Sequence, residues 1–106
     1  METEIFQDRA ALLVVDYQSR LEAVMPHAVY SQNIKHTTNL VKAANLLGLP
    51  IIATEQYPRG LGPTVEEIAS QVPTPYEKLE FSAVRNEDIQ RALSQTGRDQ
   101  WIVTGM

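Results

Sequence analysis

Apolar residues along this chain gather in short continuous runs, separated by longer stretches of mixed polarity. The run "AALLVVD", residues 10–16, is apolar throughout until its last position and rich in β-branched side chains. Such a run predicts a strand buried on both faces, as in parallel sheets. "PIIATE" and "QWIVTG" predict two more strands of the same kind, and "PYEKLEFSA" predicts a shorter extended segment. Between them the spacing changes to that of helices. Ile34, Leu40, Val41, Ala44 and Leu47 recur at helical intervals over residues 31–47, with Gly48 and Pro50 as stop signals. "TVEEIASQV" predicts a short helix with Thr64 and Glu67 at capping-box spacing. "EDIQRALSQT" predicts another, capped by Asn86, apolar at Ile89, Ala92 and Leu93, and stopped by Gly97. "SRLEAVM" reads as a short helix or a compact loop, and "QYPRGLGPT" as a loop. The order is β-α-β-α-β-α-β. Alternation with nearly all-apolar strands implies an α/β fold, a three-layer doubly wound parallel sheet joined by right-handed crossovers.

Length fits that picture as one domain spanning residues 1–106. Hydrophobic residues make up 43% and charged residues 21%, the balance of a globular chain. Nine Lys and Arg are scattered against thirteen Asp and Glu, for a net charge of -4. No basic patch points to nucleic acid or to an anionic membrane surface. The polar start "METEIFQDR" lacks the pattern of a signal peptide, and no apolar run is long enough to span a bilayer. Cysteine is absent, which removes disulfides and thiolate metal sites from the chain and fits a cytoplasmic setting.

In open doubly wound sheets ligands bind outside the carboxyl ends of the strands, where strand order reverses. The residues that follow each strand are therefore the candidates. Asp16 ends five or six buried apolar positions and meets a desolvation cost that a cation must offset. It is a helix cap or loop anchor on the plain reading, a general base or metal ligand on the functional one. Lys78 is the natural compensating cation, though Glu77 and Glu80 also allow an exposed charged stretch. Gln18, two residues beyond Asp16, either braces it or touches substrate. Glu55, Gln56, Tyr57 and Phe81 should line the same crevice as substrate contacts. His27 and His36 have no partners at ligand spacing and read as surface histidines. Trp101 reads as a core or interface residue.

At these positions the sequence resembles a family. "ALLVVDYQ", "PIIATEQYPRGLGPT", "EKLEFSA" and "WIVTGM" are similar, in order and in spacing, to successive motifs of the isochorismatase-like hydrolases, the cysteine hydrolase superfamily. The resemblance implies a Rossmann-like α/β fold, a small-molecule substrate, no cofactor, a homo-oligomer and an Asp-Lys-Cys triad. Asp16 matches the family's acid and Lys78 its lysine. The family's cysteine lies just past the Thr-Gly-Met motif, and the chain stops there. The expectation is therefore the N-terminal part of a hydrolase of amide-type or enol-ether bonds, its cysteine beyond residue 106. The alternative is a non-catalytic binding or interaction module. Metal-binding relatives such as nicotinamidases carry Asp-x-His after the second strand. Here that loop reads Glu55-Gln56-Tyr57, without an imidazole, and no zinc site is expected.

Overall fold

A computed structural model describes residues 4–79 and 85–106. The apolar runs form strands β1 (Ala10–Val15), β2 (Ile51–Gln56) and β4 (Gln100–Gly105), and the short segment Tyr76–Lys78 forms β3. All pair in parallel, in the order β3-β2-β1-β4. The most apolar strand, β1, is thus one of the two inner ones, with Ala10 to Val14 buried. The chain adds β2 and then β3 on one side of β1, and returns to place β4 on the other. Strand order therefore reverses at the carboxyl end of β1, between β2 and β4.

The helices are α1 (His27–Leu47), α2 (Pro58–Leu61), α3 (Glu66–Ala69) and α4 (Glu87–Gln95), with a 3-10 helix over Ser19–Val24. Right-handed crossovers place α1 and α3 on one face of the sheet and α4 on the other. On the α1 side, Leu12, Val14, Ile51 and Ala53 pack with Tyr30, Val41, Ala44, Val65 and Ile68 in one core cluster. In α4, Ile89 and Ala92 are buried as the spacing predicts. Asn86 caps it, its side-chain oxygen accepting from Ile89 N at 3.1 Å.

Three details differ from expectation. Helix α1 begins four residues earlier than the apolar spacing indicates, directly after Pro26. Its buried stripe is Tyr30, Thr37, Val41 and Ala44, whereas Leu40 and Leu47 point outward. The i, i+4, i+7 series was disguised because one of its members, Thr37, is polar. Second, the Thr64–Glu67 capping box does not form. Helix α3 spans four residues, Val65 is its cap residue, and the Thr64 hydroxyl bonds Glu55 instead. Third, α2 adds a helical turn inside the expected loop, where Pro58 takes the first helical position. Among the described residues, no helix is long and apolar enough to cross a membrane.

Candidate functional site

Asp16 follows directly on β1, in the left-handed region with φ of 60°. Few non-glycine residues adopt that conformation, and Asp is among those that tolerate it best. It swings the carboxylate out of the pleat and under the carboxyl ends of β2 and β3. There Oδ2 accepts from Lys78 Nζ at 2.8 Å and Oδ1 accepts from the Thr54 hydroxyl at 2.8 Å. The Lys78 side chain has no exposed surface and that of Asp16 has 10%. The sheet register produces this meeting. Val15 lies beside Thr54, and Gln56 beside Lys78, so the last residue of β3 faces the first residue after β1 across the end of β2. The lysine and the carboxylate thereby meet away from water, each offsetting the desolvation of the other.

The end of β4 arrives on the other flank of Asp16. Gly105 pairs with Val15, and Met106 N donates to Val15 O at 3.3 Å. A Cβ on Gly105 would sit 3.2 Å from the Val15 Cβ, tighter than ordinary contact, so a side chain there would push the two strand ends apart. A hydroxyl cluster under α1 fixes the same strand end. Tyr17 OH donates to Asn33 Oδ1 at 2.7 Å and accepts from the Thr37 hydroxyl at 2.6 Å. The Thr104 hydroxyl lies 2.6 Å from Tyr17 OH and 2.8 Å from that of Thr37. Asn33 Nδ2 reaches the Gly105 carbonyl at 3.2 Å.

The remaining candidates divide by how much of them is open. Gln18 is fully buried. Its amide donates to the carbonyls of Gln56 and Gly62, both at 2.9 Å, and its oxygen accepts from Gln56 N at 2.8 Å. It therefore braces the loop after β2, and none of these bonds is to the Asp16 carboxylate. Glu55 and Gln56 are the last residues of β2 itself. The Glu55 carboxylate accepts from Thr64 N at 2.7 Å and from the Thr64 hydroxyl at 2.6 Å, pinning the far end of the same loop. Tyr57 is half exposed, and its N–H donates to the Lys78 carbonyl at 3.0 Å. It forms one wall of a cavity of about 570 Å³ shared with Pro58, Arg59, Lys78 and Leu79. Phe81 lies outside the described residues. His27 and His36 are exposed on α1. Among the described residues no three His, Cys, Asp or Glu side chains are placed to hold a metal ion.

A profile of the isochorismatase domain family matches residues 10–106. The chain belongs to the isochorismatase domain family. Isochorismatase domain-containing protein 2 of Danio rerio is 32% identical over 94 residues, which is 89% of this chain and 46% of that protein. Two solved members of the fold are similarly related. YcaC from Pseudomonas aeruginosa, described with hexane-2,5-diol and covalent acrylamide, superposes with a TM-score of 0.83 at 29% identity, covering 100% of this chain and 55% of that one. The YcaC gene product of Escherichia coli, described as an octameric hydrolase of unknown specificity, gives 0.82 at 28% identity, covering 100% and 54%. The chain thus has an isochorismatase-family hydrolase fold and spans about half the length of these relatives.

Sequence reasoning within this isochorismatase domain missed two contributors. Thr54 orients the Asp16 carboxylate, and its signal was a polar residue inside the apolar run "PIIATE". The Tyr17–Thr37–Thr104 cluster left no local signal, because its three hydroxyls come from three separate elements.

Proposed function

We propose that this chain provides the acid and the lysine of a cysteine hydrolase acting on a small amide-type or enol-ether substrate. One observation carries the reading: the buried Asp16–Lys78 pair at the reversal point of the sheet, with the end of β4 beside it. In this reading the nucleophile is a cysteine shortly past Met106 in the natural protein. With an amide-type substrate, Asp16 accepts the thiol proton and the thiolate attacks the carbonyl carbon. The resulting oxyanion is held by backbone N–H groups at the turn that follows β4, and Lys78 balances charge across the step. The C–N bond breaks as the amine takes the proton held on Asp16, and water then attacks the thioester to release acid and thiol. Tyr57 and the cavity beside it receive the substrate. The covalent acrylamide in the Pseudomonas relative supports a nucleophilic centre in this fold, and the octameric Escherichia relative supports a homo-oligomer.

The test is the intact mass of the natural protein together with its alkylation by iodoacetamide. The reading expects a mass above 11.9 kDa and one fast-labelling cysteine soon after Met106. It expects Asp16→Asn to slow that labelling by about 100-fold. A natural mass of 11.9 kDa would overturn it in favour of a non-catalytic binding module, which the absence of cysteine from these residues would then explain.

A further inference from the structure

Tyr57 and Gly60 each stand where the backbone favours the other. Tyr57, directly before α2, has φ of 39° and ψ of 66°, a left-handed conformation that suits glycine and is an outlier for a bulky side chain. Gly60 lies inside α2 without a positive φ, so its backbone accepts any L-residue and alanine there is favoured by about 1 kcal/mol. What stands in the way of alanine is the Tyr57 ring. A Cβ on Gly60 would lie 2.6 Å from both Cδ2 and Cε2 of that ring, and its next nearest neighbour outside the helix backbone is the ring's Cγ. Hydrogen bonds hold the pair on both sides. Tyr57 N donates to the Lys78 carbonyl at 3.0 Å, the Tyr57 carbonyl accepts from Gly60 N at 2.9 Å, and the Gly60 carbonyl accepts from Arg20 Nη1 at 3.1 Å. Strain of this kind persists only where the surroundings impose it, and it points to a use for the side chain. Core packing is not that use, because Tyr57 is half exposed. The ring instead borders the cavity of about 570 Å³ with Pro58, Arg59, Lys78 and Leu79. A tyrosine ring and a guanidinium both stack on flat partners.

We infer that Gly60 is a positioning residue: it leaves the space in which the Tyr57 ring stands as a wall of the cavity. Resting on the reading of that cavity as the substrate site, this wall selects an amide with a flat, unsaturated substituent over a saturated one of similar size. Benzamide and cyclohexanecarboxamide serve as probes, titrated into the natural protein and followed by ligand-observed NMR. Benzamide is expected to bind about fivefold more tightly. Gly60→Ala removes that preference by displacing the ring, yet leaves the urea midpoint unchanged or raises it, since alanine favours the helix. Affinity and stability thus move in opposite directions, which a purely structural glycine would not produce. Tyr57→Leu removes the preference without touching α2, and decides the matter even where Gly60→Ala fails to fold. Equal affinity for the two amides would overturn the proposal, as would a preference that survives either substitution. Acrylamide labelling of the natural protein is measured in parallel. Its failure would count against the hydrolase reading alone, because the two titrations need no nucleophile.

Discussion

The Asp16 carboxylate is held by Lys78 and Thr54, and its two bonds respond differently to substitution. Removing one partner of a buried ion pair strands the other charge. Lys78→Met is therefore expected to lower stability by about 3–5 kcal/mol. Adding Asp16→Asn to that variant should restore part of the loss, and urea denaturation of the two singles and the double gives the coupling. Two singles that simply add would show that the pair does not hold the site together. A surface pair gives a contrast in pH. Asp99 is held below the usual carboxylate range by its hydrogen bonds from Arg9 and by the charge of that guanidinium. A depressed acid stabilises the fold above its ordinary titration range and ceases to do so as pH falls through the native value. Asp99→Asn should thus lower the urea midpoint at pH 7, and the difference should vanish by about pH 2.

Elements were legible where one residue could announce them. Gly48 ends α1 in the left-handed conformation, and Asn86 caps α4, each as its residue type implies. Asn86→Ala should accordingly cost about 1 kcal/mol in thermal or urea unfolding. The strands were legible because a parallel sheet buries both faces and so shows as unbroken apolar runs. What stayed hidden depended on partners distant in the chain. Thr37 gave no apolar signal on the buried stripe, because the hydroxyls that satisfy it belong to Tyr17 and Thr104. Thr64 looked like a cap, because the Glu55 carboxylate that captures it lies on another element. For the site, Asp16 and Lys78 could be singled out, whereas Thr54 needed the register between β1 and β2. Tyr17→Phe tests the hidden cluster. It should destabilise by about 1–3 kcal/mol and speed amide exchange at Gly105 and Met106 more than in β2. A uniform increase across the sheet would assign the cluster no special hold on β4.

At the scale of the molecule, β3 and β4 are the edges of the described sheet. Val103 on β4 is 63% exposed, an apolar side chain on an open strand. Such an edge favours pairing with another chain. In residues 1–106 expressed by themselves, Val103→Lys should therefore reduce concentration-dependent association in sedimentation velocity. An unchanged distribution would place any self-contact elsewhere. The central position of β1 also has a bearing on how the chain acquires its shape. β1 must wait for β4: the Arg9–Asp99 bridge beside the start of the two strands joins residues 90 positions apart. Contacts of that span are slow to close, since the entropy of a long loop is lost before the pairing rewards it. During synthesis β1 emerges early, one of its edges still unpaired until β4 leaves the ribosome. Folding of this sheet is therefore completed late, and the most apolar strand spends the longest time incompletely covered.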